Sequence, residues 1–131
     1  MTEPTLYILM RSDMLSLNPG KAMAQAAHAA NQFASVARTI KEDGFQDWEN
    51  QTDAAFGTTI VLDAGGEEEL FTAVEAAQDA GYLADIVLDP TYPVRDGGVT
   101  HVLPVVTCGY AFTPCRVTVP VPSLSEMTLH P

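Results

Sequence analysis

A row of polar side chains interrupts an alanine-rich stretch, and its residue types suit anion binding and acid–base chemistry. Residues 18–33 read NPGKAMAQAAHAANQF. At about 100° per residue on a helix, these polar side chains fall within roughly 60° of one another; they are Lys21, Gln25, His28 and Gln32. Small alanines let such a helix lie close to a sheet, so the row is expected to border a cleft, although a plain solvated face also fits the spacing.

Lys21 has an unusual position for a cation. It falls in the first turn of the predicted helix, where the helix dipole disfavours a positive charge by about 0.3–1 kcal/mol. The amides of a helix N-terminus and a lysine can together hold an anion or a developing oxyanion. This placement indicates a ligand at Lys21.

Asp89 is the natural complement to this lysine. It closes the apolar segment ADIVLD, and Pro90 is expected to begin a loop there. A carboxylate at this point either caps the loop or acts as a base that orients a water or hydroxyl. Beside a lysine it stays ionised, as a base must. The spacing alone does not identify a reaction.

The elements that position these residues follow from periodicity and turn signals. Strands are predicted over residues 5–11, 58–66, 84–90 and 99–112, with helices over 19–41 and 67–82 and a short helix near Trp48. Pro104 indicates an edge position or a bulge in the fourth strand. The order predicts an α/β domain with a small, mostly parallel or mixed sheet and helices packed on its faces. Ligands of such sheets bind at the carboxyl ends of strands, where Arg11, Asp13, Lys21 and Asp89 are expected.

Size and composition favour one compact domain. The chain has 131 residues, 47% of them apolar, and we predict a domain over residues 1–116 with a proline-rich, extended tail over 117–131. With no apolar run of about 18 residues and no basic segment before the first apolar stretch, we expect a cytoplasmic protein without a membrane segment. Cys108 and Cys115 match neither a redox pair nor a zinc half-site, so reduced thiols, no metal and no cofactor are predicted.

The charge of this acidic protein is unevenly distributed. The net charge is −11, yet residues 42–90 hold thirteen Asp and Glu residues and no Lys or Arg. Residues 1–41 carry four Lys and Arg against two acids, which gives +2. The acids can serve as a solubilising surface, and a neutral-to-basic face built from the first helix and the late loops is compatible with them.

The segment RSDMLSLNPGKAMAQAAHAA resembles the N-terminal signature of the second peptidyl-tRNA hydrolase family, the archaeal and eukaryotic type. The matching positions are Arg11, Ser12, Asp13, Gly20, Lys21, Ala24, Gln25, His28 and Ala29. The order of later elements is also similar, over roughly residues 5–112. The resemblance implies a single α/β domain with a four-stranded mixed sheet that hydrolyses the ester between a peptide and the 3′ ribose of tRNA, without a metal. It places Lys21 at the family's essential lysine, with Gln25 and His28 beside it.

The resemblance weakens in one loop. Asp89 matches the aspartate that opens the family's loop Asp-Ala-Gly-Arg-Thr-Gln-Ile-Pro-Pro-Gly, but Tyr92 stands at the arginine and Pro93 at the threonine implicated in activity. Thr91 or Tyr92 could supply the missing hydroxyl, and Arg95 the missing cation. His101 falls at a later threonine of the motif.

The resemblance therefore gives a catalytic pair, Lys21 and Asp89, and a set of substrate-binding candidates. That set is Arg11, Gln25, His28, Thr91, Arg95 and His101. The partner it implies is the 3′ end of peptidyl-tRNA, with a homodimer possible. The altered loop and the acidic middle leave a second interpretation open: a module on the same fold that binds tRNA or a basic protein without cleavage. Hydrolysis of another aminoacyl or peptidyl ester is a third.

Overall fold

The computed structural model describes residues 3–114, 124 and 127–131 of the chain. Its elements, in order, are β1 (Thr5–Arg11), α1 (Pro19–Ile40), α2 (Phe45–Glu49), β2 (Thr59–Gly65), α3 (Glu67–Asp79), β3 (Leu83–Asp96) and β4 (Val99–Thr113). Every predicted helix and strand is present, and most bounds lie within a few residues of the prediction. The exception is β3, which is much longer than expected.

The four strands form one mixed sheet in the order β2-β1-β4-β3. β1 runs parallel to β2 and antiparallel to β4, and β4 runs antiparallel to β3. The predicted α/β domain with a four-stranded mixed sheet is confirmed. All seven residues of β1 are buried, as expected for a central strand covered on both faces.

The helices cover opposite faces of the sheet. On one face, α1 and α2 contribute Phe33 and Trp48 to an aromatic cluster in which Phe33 lies 4.8 Å from Phe112, centroid to centroid. On the other face, α3 packs Leu70 and Val74 against the sheet. Alanines on the inner side of α1, including the fully buried Ala29, let the helix approach closely. This close packing brings the polar row of α1 against the sheet edge.

The predicted loop after Asp89 is wrong. β3 continues to Asp96, and Gly97 and Gly98 form the two-residue turn that joins it to β4, since Asp96 pairs with Val99. Two-residue hairpin turns need a positive φ, which glycine adopts without strain, here 60° at Gly97. β1 pairs with β4 only from Cys108 onward. Residues 88–96 and 99–106 therefore form a two-stranded extension, called the ribbon below.

Asp89 consequently lies within a strand and not at its end, which corrects the prediction. The β3–β4 register is irregular between Asp89 and Tyr92. Pro90 lacks the N–H that regular pairing needs, and Pro104 lies opposite this irregularity, between the partners of Asp89 and Tyr92. The predicted irregularity at Pro104 is present, but its extra residue lies in β3 and not in the fourth strand, since Pro90 and Thr91 stand opposite Pro104 alone.

The described end of the chain pairs with the outer edge of β2. Asp63 N donates to Thr128 O at 2.8 Å, and His130 N donates to Val61 O at 3.0 Å. The predicted boundary at residues 116 and 117, and Cys115, lie outside the described residues. Cys108 is a free, buried thiol whose pKa burial raises to about 11. Within the described ranges no helix is long and apolar enough to cross a bilayer.

Close packing between α3 and the sheet depends on a glycine in β4. A Cβ at Gly109 would lie 2.9 Å from Asp85 O and 3.0 Å from Val74 Cγ2. We therefore expect Gly109→Ala to lower the free energy of unfolding by about 1–3 kcal/mol, the usual cost of overpacking. Gly98→Ala is the control because nothing lies within 4 Å of a Cβ there. Equal denaturant midpoints for the two variants would contradict this packing.

Candidate active site

The polar row of α1 faces β3. Gln25 Nε2 donates to Asp89 Oδ2 at 2.7 Å, Lys21 Nζ donates to Pro93 O at 2.8 Å, and Gln32 Nε2 donates to Ile86 O at 3.0 Å. A plain solvated face is excluded, because three of its four side chains bond to the neighbouring strand. Two members of the row, His28 and Gln32, also line a cavity beside Asp89, as predicted for a row that borders a cleft.

Asp89 is held by donors on both carboxylate oxygens. Besides the Gln25 amide on Oδ2, Thr91 N and Thr91 Oγ1 donate to Oδ1 at 2.9 and 3.3 Å. Burial of the carboxyl acts to raise the pKa of Asp89, but the hydrogen bonds from Gln25 and Thr91, aided by the nearby charge of His28, outweigh it. The pKa lies below its ordinary value, so Asp89 is ionised at neutral pH.

The side chain of Gln25 is held by a hydrogen bond from the sheet. Its side chain is buried, with 3% of the residue exposed, and its Oε1 accepts a hydrogen bond from Thr107 Oγ1 at 2.7 Å. Thr107 is fully buried in β4. An acceptor already committed to Thr107 leaves the amide N–H₂ of Gln25 pointing at Asp89. The chain Thr107–Gln25–Asp89 thus orients the carboxylate from the interior of the sheet.

Lys21 bonds to the ribbon and not to Asp89. Its ammonium donates to Pro93 O and lies 5.1 Å from the ring centroid of Tyr92. Tyr92 is buried, and its hydroxyl shares a hydrogen bond of 3.0 Å with Ser16 Oγ. An ammonium has three N–H donors, so two remain for other acceptors. Lys21 precedes Gln25, the residue that bonds Asp89, by about one turn of α1.

Few backbone donors remain at the start of α1. Lys21 N donates to Asn18 Oδ1, Ala22 N donates to Asn18 O, and Pro19 has no N–H. Gly20 is the first-turn amide outside these bonds. Anion binding at this helix end therefore depends mainly on the ammonium of Lys21.

A small cavity lies beside Asp89. It has a volume of about 250 Å³ and is lined by His28, Gln32, Val87, Leu88, Asp89, Pro90 and Thr91. His28 is exposed and forms one wall with Gln32. Two predicted substrate-binding residues, His28 and Thr91, are thus brought to the catalytic candidate Asp89.

The guanidinium of Arg11 forms its hydrogen bonds within the protein. Its Nε and Nη2 donate to the two carboxylate oxygens of Asp13, each at 2.9 Å, and Nη1 donates to Val106 O at 2.8 Å. Glu67 lies 3.8 Å from Nη1. The hydrogen bond to Asp13 raises the pKa of Arg11 and lowers that of Asp13. The guanidinium joins the end of β1 to the base of the ribbon, and most of its donors are used within the protein.

Arg95 and His101 lie on the outer half of the ribbon. Both are exposed; Arg95 pairs with Thr100, whereas His101 Nε2 lies 3.8 Å from Asp96 Oδ2. Because they occupy adjacent positions of the register, their side chains leave opposite faces of the ribbon. The structure does not bring either into a hydrogen bond with Asp89 or Lys21.

Sequence reasoning missed Thr107 and the carbonyl of Pro93. Thr107 is a hydroxyl within the apolar run VVTCGYAF, and a buried polar group needs a partner, so its position was a usable signal. A backbone carbonyl gives no signal in the sequence. In the described part of the chain, no three His, Cys, Asp or Glu side chains are grouped so as to hold a metal ion.

Comparison with known families identifies the family of the chain. The family model described as peptidyl-tRNA hydrolase PTH2 matches residues 5–119. The chain belongs to the PTH2 family. A comparison with curated proteins found no match. Membership implies peptidyl-tRNA as the substrate class and hydrolysis as the reaction class.

The structure gives the departures from the PTH2 loop sequence a physical meaning. At the position of the family's arginine, Tyr92 is buried and bonds to Ser16. At the position of its threonine, Pro93 presents only a carbonyl, which accepts from Lys21. The hydroxyl bonded to Asp89 is instead that of Thr91, two residues earlier. Of the two hydroxyls suggested by the sequence, Thr91 is the one beside the carboxylate.

The hydrogen bond from Gln25 predicts a measurable change in the ionisation of Asp89. We expect Gln25→Met to raise the pKa of Asp89, since the donor is lost while burial is kept. In the wild type the folded-state pKa of Asp89 lies below its ordinary value of 3.8, so ionised Asp89 stabilises the fold at a pH above 3.8. This stabilisation is lost as the pH falls through the folded-state pKa. Carboxyl NMR titration measures the shift.

Gln32→Met is the matched control. Gln32 lies on the same face of α1 as Gln25 but donates to Ile86 O and not to Asp89. An unchanged Asp89 pKa in Gln25→Met would show that the Gln25 bond does not hold the carboxylate in its ionised form.

Proposed function

We propose that this chain hydrolyses the ester bond between the peptide and the 3′ ribose of peptidyl-tRNA. One observation carries the proposal in this member of the PTH2 family. A carboxylate is fixed by Gln25 and Thr91, and Gln25 follows by one turn of α1 a lysine whose ammonium keeps donors for a ligand. Lys21 and Asp89 are the proposed catalytic residues. A homodimer stays a prediction.

Asp89 orients the attacking water and receives its proton. Its lowered pKa keeps it ionised but makes it a weak base, so its main contribution is position. A carboxylate offers about four acceptor sites, and the three donors from Gln25 and Thr91 leave room for a water. The Thr91 hydroxyl, bonded to Oδ1, can relay the proton.

The reaction balances without another reactant. The water oxygen adds to the ester carbonyl carbon while its proton passes to Asp89, directly or through Thr91. The bond from that carbon to the ribose oxygen then breaks, and the ribose oxygen takes up the proton. Asp89 is ionised again, and the products are a free peptide acid and a tRNA with a 3′ hydroxyl.

Lys21 contributes positive charge. Its two remaining N–H donors can stabilise the oxyanion that forms on the carbonyl oxygen or hold the terminal phosphate. The contact with Pro93 O fixes the ammonium without neutralising it, since a carbonyl carries no net charge. Gln25 positions Asp89, and His28 bonds the substrate beside the cavity.

A second function is favoured by one specific observation. Tyr92 and Pro93 replace the family's arginine and threonine, and both are occupied by internal contacts, with Ser16 and with Lys21. This supports a module that binds the tRNA end without cleaving it. Binding of peptidyl-tRNA with no release of peptide would favour the binding module.

The role of Lys21 is tested by a substitution that removes the positive charge and keeps most of the side-chain length. We expect Lys21→Met to lower kcat/KM for peptide release from peptidyl-tRNA by about 100-fold or more, as for loss of an oxyanion donor. A fall in kcat indicates the oxyanion role, and a rise in KM alone indicates phosphate binding. A chelator in the assay should leave the wild-type rate unchanged.

Lys41→Met is the control, since Lys41 follows the opposite end of α1 and carries the same charge. An inert wild type would defeat the enzyme proposal, and equal rates for the two variants would remove Lys21 from the catalytic residues.

The Thr91 hydroxyl is tested by an isosteric change. Thr91→Val keeps the backbone donor to Asp89 and removes the hydroxyl. We expect kcat to fall about 10–100-fold, in the lower range for loss of a proton-transfer group. Thr100→Val, an exposed ribbon position, should retain full activity; an equally active Thr91→Val would remove Thr91 from the proton path.

A further inference from the structure

Free positive charge is scarce around the candidate active site. The chain has six Lys and Arg residues against 17 Asp and Glu. Of the cations among the described residues, Arg11 is buried and bonded to Asp13. Arg38 lies seventeen positions after Lys21 on α1, about 25 Å away along the helix axis, and pairs with Glu49 at 3.1 Å. Lys41 lies farther still.

Only Lys21 and Arg95, within the described ranges, are left to meet phosphates near Asp89. Lys21 contacts the carbonyl of Pro93, and Arg95 follows two residues later on β3, about 7 Å along the strand. Arg95 is exposed. Because side chains alternate along a strand, Arg95 leaves the face of the ribbon opposite Tyr92 and Lys21. The two cations can therefore neutralise at most about two phosphates, those of a strand that passes around the edge of the ribbon.

The α3 side of the same sheet end repels nucleic acid. The first turn of α3 is Glu67, Glu68 and Glu69. A wide cavity of about 690 Å³ opens there, and it is lined by Asp63, Glu68 and Glu69. Although this cavity is larger than the one at Asp89, its carboxylates make it unsuitable for a polyanion. Phosphates are left with the ribbon and the start of α1.

The cavity at Asp89 is also small. At about 250 Å³ it lies below the usual range of small-molecule pockets, roughly 300–1,000 Å³. It has room for one nucleoside beside His28 and Gln32, and not for several nucleotides.

From these charges and volumes we infer that the chain recognises only the acceptor end of its substrate. The substrate class is then the peptidyl or acyl ester of a 3′-terminal nucleotide with about two adjoining phosphates, and the body of the tRNA is dispensable. This inference rests on the proposed function, and it narrows the substrate that the site requires.

Salt dependence of binding gives the first test. Each phosphate of a single strand contributes about −0.7 to the slope of log K against log salt concentration, so two phosphates predict about −1.4. Deacylated tRNA and a short single strand with the same 3′ sequence should bind within about threefold of each other. A slope of −4 or steeper, binding of tRNA more than about 30-fold tighter, or binding of neither nucleic acid would overturn the inference.

Matched variants locate the phosphates. Arg95→Gln should make the slope less steep by about 0.7. Arg38→Gln removes the same charge at the far end of α1 and should leave the slope unchanged. The reverse pattern would place the nucleic acid along α1, away from Asp89, and would overturn the inference.

Kinetics separates this inference from the proposed function. The wild type should hydrolyse the peptidyl ester of the short strand with a kcat/KM within about tenfold of that for peptidyl-tRNA. Hydrolysis of peptidyl-tRNA with rejection of the short ester would overturn the inference and leave the proposed function standing. Equal binding of both nucleic acids with hydrolysis of neither ester would support limited contact and defeat the enzyme proposal.

Discussion

The hydrogen bond from Gln25 to Asp89 joins the two parts of the molecule on which the site depends. Gln25 belongs to α1 and is locked by Thr107 in β4, whereas Asp89 lies in β3 at an irregular step of the ladder. The bond therefore fixes the helix, the sheet edge and the ionised carboxylate relative to one another. Because Gln25 is buried, water competes weakly for its amide. If this contact is lost, Asp89 keeps its place in the chain but loses its orientation.

Positive and negative charge are arranged differently on the two sides of the sheet. On the α3 side, Arg11 is satisfied by Asp13 and Val106 and serves the architecture. On the α1 side, Lys21 rests on an uncharged carbonyl and an aromatic face, so its charge remains effective toward a ligand. An ammonium paired with Asp89 would have satisfied both groups internally. Lys21 instead precedes Gln25, the partner of Asp89, by one turn of α1, and each charged group keeps capacity for a ligand.

Sequence patterns predicted the elements well where periodicity and caps agreed. Asn18 caps α1, alanines line its inner face, and its polar residues reach β3 as their spacing indicates. The sequence does not predict the ribbon, because Pro90 indicates a loop after Asp89 and the turn at Gly97–Gly98 falls within the range of that loop. Tertiary pairing with β4 decided that conformation, and propensity did not.

Contacts of the site were less predictable than its residues. Lys21, Gln25 and Asp89 were identified from residue type and resemblance, but the role of the Pro93 carbonyl depends on backbone geometry that no residue type encodes. Thr107 was detectable in principle as a lone hydroxyl in an apolar strand. The placement of Arg95 and His101 follows from the register of the ribbon, and a predicted loop defines no register.

The central claim is that Lys21 and Asp89 act together on one ester bond, and a double-mutant cycle in single-turnover hydrolysis of peptidyl-tRNA tests it most directly. Groups that act as a unit give non-additive losses. Lys21→Met combined with Asp89→Asn should therefore be no slower than the slower single variant, within about threefold. A double variant whose loss equals the product of the two single losses would contradict the claim.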